Sequence, residues 1–307
     1  MTQLSDQPSG QRRLLITGVS GFLGWPLARL AQATWQVEGT YHRHPIDLPG
    51  VGLHWVDLTD TDALMAWLQA LAPDAVIHTA ALSQPNRCEQ QPEVSYTVNV
   101  EATRTLATYC GQRGIPLVFT STDQVFDGQG APYDEASAPN PINRYGQHKL
   151  AAEQLIQRLH PQAAICRLPL LYGPPTPTAE CFLQGFLRTL AAGQPLRLFI
   201  DEFRTPAHGE DVARGLLLAL EKASGLLHLG GPERLSRYDF GLKMAAVFQL
   251  EAGLIVPSRQ GDVAMPAARP ADVSTHSRLA LGLGYRPRGI EAGLRAVLQT
   301  MTQEPRP

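Results

Sequence analysis

The feature that most constrains this chain is a regular exchange of short apolar runs with helical patterns along its N-terminal half. LLIT (14–17), WQVEGTY (35–41), LHWVDL (53–58), DAVIHTAA (74–81) and PLVFTSTD (116–123) read as strands. The stretches 22–33, 61–71 and 94–112 between them carry apolar residues at helical spacing. Short apolar strands separated by helices are the pattern of parallel strands covered on both faces. Right-handed crossovers then wind such a sheet outward in both directions.

Farther on, VFDGQGAPYDEASAPNPINRYG (125–146) is rich in turn residues and leads into a helix over Tyr145–Leu159 and a sixth strand over 164–173. Beyond it the alternation weakens. Helices are predicted over 179–192, 210–223, 238–249 and 289–301, with strands over 196–200 and 226–231. The expected fold is α/β, a doubly wound parallel sheet of the Rossmann type with a smaller mixed α/β C-terminal lobe. The sheet domain spans 12–173, segments around 205–231 return to it, and 174–307 is mainly the substrate lobe. Residues 1–11 are polar and read as loose.

Composition narrows the function classes. The 307 residues hold 26 Lys plus Arg against 28 Asp plus Glu, a net charge of −2. That balance lacks the basic footprint of a general nucleic-acid binder. With 44% hydrophobic and 18% charged residues the chain is not broadly disordered. Cys88, Cys110, Cys166 and Cys181 form no CxxC pair or zinc-ligand spacing and read as reduced thiols. No His/Asp/Glu spacing suggests a metal, and no apolar run reaches the ~20 residues that span a bilayer. Arg12-Arg13 before an apolar stretch mimics a secretory leader. Gly18, Gly21, Gly24, Pro26 and Arg29 interrupt that stretch, so a cytoplasmic protein is expected.

Thr17-Gly18-Val19-Ser20-Gly21-Phe22-Leu23-Gly24 follows the first strand and opens the first helix. In that context Gly18 makes the tight turn, Gly21 admits a pyrophosphate to the backbone, and Gly24 allows close packing of the helix. The N–H groups of Ser20, Phe22 and Leu23 and the helix dipole favour phosphate there. The spacing is G-x-x-G-x-x-G, which resembles the extended short-chain dehydrogenase/reductase family. An NAD enzyme should close its second strand with a carboxylate for the ribose hydroxyl. Here the strand ends Thr40-Tyr41-His42-Arg43, and Glu38 lies inside it. Arg43 can pair with a 2′-phosphate instead, so NADP is expected, with NAD the less favoured alternative. The resemblance places Asp57 and Leu58 at the adenine and the small residues Ala80 and Ala81 along the cofactor. His78 reads as a core residue and Asn99 as a structural one.

Tyr145-Gly-Gln-His-Lys149 puts a phenol and an ammonium on one helix face. A neighbouring cation is expected to pull the phenol from about 10 toward neutral pH. The end of the fifth strand offers hydroxyls from Thr122 and Ser121 to polarise a carbonyl. The run Ser121-Thr122-Asp123-Gln124-Val125-Phe126-Asp127-Gly128, with Pro132-Tyr133 and Glu135 beyond, resembles the dTDP-4-dehydrorhamnose reductases. Arg167…Tyr172-Gly173, Arg204-Thr205-Pro206…Asp211, Arg269-Pro270 and Leu281-Gly282 extend the resemblance over most of the chain.

It implies Thr122, Tyr145 and Lys149 as the catalytic set, with Ser121 as the fallback hydroxyl. It also implies Asp123 and Gln124 beside the substrate, although the family usually has Tyr where Gln124 stands. Arg204 is a candidate for the substrate diphosphate, or else an interior ion pair. The expected reaction is NADPH-dependent reduction of a nucleotide-linked 4-keto-6-deoxy sugar. Its partners would be that nucleotide sugar and a second copy of the chain, with no nucleic acid and no membrane. The alternatives are a nucleotide-sugar epimerase or dehydratase with recycling NAD, and an NADP-binding regulatory subunit like that of methionine adenosyltransferase. Asp123-Gln124 lacks the Asp-Glu pair that dehydration needs.

Overall fold

The structure is a computed structural model that describes residues 11–303, so all but the last residue of the polar stretch 1–11 lies outside the described residues. In chain order, β1 (Arg13–Thr17), α1 (Gly24–Ala31), β2 (Gln36–Tyr41), β3 (Val51–Trp55), α2 (Thr61–Leu71) and β4 (Ala75–His78) form the first half of a sheet domain. The second half follows as α3 (Pro85–Gln90), α4 (Pro92–Tyr96), α5 (Ala102–Arg113), β5 (Leu117–Thr122), α6 (Arg144–Leu159) and β6 (Ala164–Leu168). The rest comprises β7 (Leu171–Tyr172), α7 (Phe182–Ala191), β8 (Leu196–Phe199), β9 (Phe203–Arg204), β10 (Ala207–His208), α8 (Gly209–Lys222) and β11 (Gly225–His228). It ends with β12 (Leu235–Ser236), α9 (Arg237–Phe248), β13 (Ile255–Ser258), α10 (Arg278–Leu283) and α11 (Ile290–Gln303).

Seven parallel strands run in the order β3-β2-β1-β4-β5-β6-β11. The order reverses at β1, the switch point at which such sheets open a crevice at the strands' carboxyl ends. One face is covered by α1 and α8 through Leu27, Ala28, Val212 and Leu216. The other is covered by α2, α5 and α6 through Leu64, Leu68, Leu106 and Ile156. Every one of these side chains is fully buried, and each large aliphatic one contributes about 1.5–3 kcal/mol relative to exposure. A third core, with Leu183, Leu198, Phe240, Met244, Ile255 and Leu294, belongs to α7, α9, α11 and the β8–β13 pair.

Several elements differ from the sequence expectation, each for a local reason. β3 stops at Trp55 because the Asp57 carboxylate accepts from the Thr59 amide (2.9 Å) and hydroxyl (2.7 Å), closing a turn in place of the ladder. β4 ends at His78, three residues early, and β5 ends at Thr122 where Asp123–Val125 turns into a short 3₁₀ segment. The sixth strand breaks at Pro169, which has no N–H to give, and β7 pairs with β10 instead. The single helix expected over 94–112 is three pieces, with α3 a separate helix ahead of them. Pro85 and Pro92 each start a helix, and Thr97–Glu101 is a π-turn ahead of α5. Beside that turn the Asn99 side chain grips both backbone groups of Leu82, at 2.9 and 3.0 Å, and fixes the segment leaving β4.

Candidate active site

The glycine loop is shaped by its own backbone. Gly18 sits at φ +73°, where a side chain is strained, and a Cβ there would lie 2.9 Å from the Cα of Ala80. A Cβ on Gly24 would come within 2.2 Å of the Gly18 carbonyl oxygen, so its lack of a side chain lets the loop close on itself. α1 begins at Gly24, two residues later than expected. Among the described residues nothing accepts from the Phe22 or Leu23 amide, which leaves two donors at the helix start. The Phe22 ring lies against Gly173 and Gly209, and Thr178 donates to the Ser20 carbonyl at 2.7 Å. Contacts from the C-terminal half therefore hold the loop from outside.

A cavity of about 1300 Å³ opens over the carboxyl ends of β1, β2, β4 and β5. That exceeds the roughly 300–1,000 Å³ of a pocket for one small molecule. Gly18, Ser20, Gly21, Phe22, Leu23 and Gly24 line it together with Arg43, Asp57, Leu58, Ala80 and Ala81. So do Thr122, Asp123, Gln124, Tyr145 and Lys149, and from the C-terminal half Arg204. Glu38, the acid inside β2, is buried and accepts from His54 at 2.7 Å.

At the centre, Thr122 ends β5, and Tyr145 and Lys149 share one face of α6. Asn143 caps α6, its carboxamide oxygen accepting from the Gly146 amide at 2.9 Å. Gly146 has a steric role that the sequence reading did not assign. A Cβ there would stand 2.1 Å from the Gln124 carbonyl oxygen, so glycine lets the start of α6 press onto the turn carrying Thr122, Asp123 and Gln124. The Gln124 side chain accepts from Asn143 at 3.1 Å and is part of this junction. Ser121 also lines the cavity, but its hydroxyl is engaged, donating to the buried carboxylate of Glu153.

The electrostatics correct one expectation. Burial, with the nearby Cys88 and Asp123 adding to it, pushes the Tyr145 phenol well above its ordinary value, against a smaller opposing pull from the Thr122 hydroxyl. The expected downward pull by Lys149 is not among the influences on the phenol, and desolvation of a phenolate dominates. Burial also brings Lys149 down to about 7 although Glu153 opposes this. Its Nζ lies 4.0 Å from the centre of the Phe119 ring. Asp123 is pushed up to about 6 by burial, with Arg204 pulling the other way, and its Oδ2 has no partner among the described residues. His78 is held near 3 by burial and bridges Thr17 (2.6 Å) and Thr103 (3.1 Å), as a neutral core residue does.

The C-terminal half adds charged groups that the sequence reading did not assign to the site. Glu202, Arg237 and Arg269 line the cavity, as does Arg87 from α3. Glu202 accepts from Arg237 at 2.8 Å and lies 3.6 Å from Arg204. Arg204 is 5% exposed and donates to the carbonyls of Phe203 (2.6 Å) and Pro270 (3.1 Å), so most of its fork is engaged within the chain. Arg237 keeps a buried Nη1 without a partner among the described residues. Arg269 donates to Asn86 at 3.2 Å, across from α3. A single arginine has no local spacing signal. Only Arg269 stood in a recognisable Arg-Pro pair.

Among the described residues no cluster of His, Cys, Asp or Glu has the arrangement of a metal site, and no helix is long and apolar enough to cross a membrane. The family model for the RmlD substrate binding domain matches residues 12–303. The chain is 38% identical over 262 residues to a probable low-salt glycan biosynthesis reductase of Haloferax volcanii, covering 83% of this chain and 86% of that protein. It is 32% identical over 281 residues to methionine adenosyltransferase 2 subunit beta of Danio rerio, covering 88% and 84%. A crystal structure of a dTDP-4-dehydrorhamnose reductase from Clostridium acetobutylicum superposes with a TM-score of 0.83 at 27% identity, over 94% of this chain and 99% of that one. With the glycine loop, Thr122, Tyr145 and Lys149 in one cavity and a family match along nearly its whole length, the chain belongs to the dTDP-4-dehydrorhamnose reductase-like branch of the extended short-chain dehydrogenase/reductases.

Proposed function

We propose that this protein is an NADPH-dependent reductase of a nucleotide-linked 4-keto-6-deoxy sugar. The observation that carries the reading is one cavity that combines a dinucleotide cradle with Thr122, Tyr145 and Lys149. The closed glycine loop and its two donors at Phe22 and Leu23 fit a pyrophosphate. Arg43 would take the 2′-phosphate, Asp57 and Leu58 the adenine, and Ala80 and Ala81 the backbone approach. The residues from 12 to 173, with 205–231 returning to them, would serve the cofactor, and most of 174–307 the substrate. Four guanidinium groups (Arg87, Arg204, Arg237 and Arg269) face this part of the cavity against three carboxyls, those of Asp123, Glu180 and Glu202. The excess of positive charge suits a diphosphate.

When bound, the nicotinamide supplies hydride to the carbonyl carbon. Thr122 donates to the carbonyl oxygen as charge develops on it. Tyr145, kept protonated by burial, gives its proton to that oxygen. Lys149 holds positive charge beside the phenol and stabilises the phenolate that results. Reduction needs an acid that rests in its protonated form, so the upward shift of Tyr145 suits this direction of reaction.

The test is nicotinamide oxidation by the purified protein with a dTDP-4-keto-6-deoxyhexose, using NADPH and NADH in parallel. Tyr145→Phe is expected to lose about 10²–10⁴-fold in rate while still binding NADPH. Retained turnover would overturn the acid role. Two relatives' names keep a second reading in view, since methionine adenosyltransferase 2 subunit beta matches over most of this chain. NADPH binding without turnover, together with a stable partner on pull-down, would favour it. Bound NAD with no net oxidation would favour epimerisation.

A further inference from the structure

Below the cavity, α6 continues its catalytic face by one more turn, from Tyr145 and Lys149 to Glu153. Glu153 is 1% exposed. Its Oε1 accepts from Ser121 at 2.5 Å and from Arg167 Nε at 3.0 Å, and its Oε2 accepts from Arg167 Nη2 at 2.7 Å. Arg167 lies on β6 directly beside Ser121 of β5, so two strands and one helix lock this cluster. Its guanidinium also rests over the Phe126 ring at 5.0 Å. A bidentate pair at this depth has no obvious stability role, because apolar packing would serve as well.

The surroundings of Lys149 suggest what the pair does. Lys149 is 1% exposed, and its ammonium lies over the Phe119 ring. Cys88 from α3, His78 from β4 and the Phe119 ring from β5 face it, and Tyr145 precedes it by one turn of α6. Burial keeps the tyrosine and cysteine protonated and the histidine neutral near pH 7. That leaves Glu153, one helical turn away, as the anion facing Lys149, and Arg167 divides its charge. We propose that Glu153 and Arg167 are positioning residues that together set the charge state of the Lys149 ammonium, the carboxylate favouring the cation and the guanidinium limiting that effect. The inference rests on the catalytic reading of Lys149 given above.

The two members act in opposite directions, which makes the test specific. Glu153→Gln removes the anion, so Lys149 should lose its proton at lower pH. Arg167→Met frees the whole carboxylate, so Lys149 should hold its proton to higher pH. The expected displacement is about one pH unit each way, as for an opposite charge one helical turn away. The sequence has three lysines, Lys149, Lys222 and Lys243, so [ε-¹³C]lysine labelling gives three resonances whose titration is read without any substrate. If the keto-sugar reading fails but the Lys149 resonance moves as stated, the inference stands and only the assigned reaction falls.

Where turnover is measurable, the alkaline limb of the kcat/KM profile for reduction should follow the resonance. It should move to lower pH in Glu153→Gln and to higher pH in Arg167→Met. Arg167→Lys, which keeps the charge, should leave the Lys149 titration near that of the parent. Titrations that move the same way in both variants, or do not move, would overturn the proposal and leave the pair a structural brace. If Glu153→Gln does not fold, Arg167→Met against Arg167→Lys decides it. An alkaline displacement in the first alone supports the proposal, and none in either overturns it.

Discussion

Gly146→Ala tests whether the junction between α6 and the Thr122 turn positions the chemistry. The added methyl would stand 2.1 Å from the Gln124 carbonyl oxygen and 2.9 Å from the Pro141 Cβ. A carbon cannot remain that close to a backbone oxygen, and neither partner is the free end of a flexible side chain. The gap must open by about 1 Å, moving Tyr145 on α6 away from Thr122 on the turn. A misplacement of about 1 Å between reacting groups costs about 100-fold in rate, or close to 2.7 kcal/mol. Overpacking of this kind also lowers stability by about 1–3 kcal/mol. The assay is keto-sugar reduction at saturating NADPH, with cofactor affinity measured separately and the melting temperature recorded. The expected pattern is a kcat loss near 100-fold with NADPH affinity within a few fold, since the glycine loop lies elsewhere. Wild-type kcat in a folded Gly146→Ala protein would refute the claim that this contact sets the geometry.

The remaining predictions concern charge. Asp123 is raised from 3.8 to about 6, so the folded chain holds a proton there that the unfolded chain loses between those values. Stability from this group is present below pH 4 and is lost as pH rises through 6, and Asp123→Asn should raise stability at pH 8 by about 3 kcal/mol with no gain at pH 4. Equal melting shifts at both pH values would refute it. Arg204→Met should lower the melting temperature, because its donors hold the Phe203 and Pro270 carbonyls. Arg269→Ala should instead raise KM for the nucleotide sugar about tenfold with little change in melting, as loss of one charge-assisted contact does. Reversal of those two outcomes would interchange the roles assigned here.

Much of this protein is legible in its sequence. Period and spacing are local properties, so the glycine loop, the strand alternation and the Tyr145–Lys149 pair can be read without coordinates, and the resemblance of the Ser121–Gly128 run supplied the family. Boundaries were less legible where a side chain competes with the ladder, as Asp57 does with β3 and Pro169 with β6. A strand is expected over 226–231, but that it pairs with β6, nearly sixty residues earlier, has no local marker, and neither has the π-turn at Thr97–Glu101.

Tertiary structure alone decided two things about the site. It brought Glu202, Arg237 and Arg269 to a cavity whose other wall is built by residues 18 to 149, beside the Arg204 that the sequence had already put forward. It also reversed the expected electrostatics of the Tyr145–Lys149 pair, whose spacing is fixed by the helix but whose protonation is governed by burial. Spacing along a helix follows from 1.5 Å per residue and can be read from a string of letters. The cost of placing a charge out of water depends on everything packed around it, and that is known only once the chain has closed over the site.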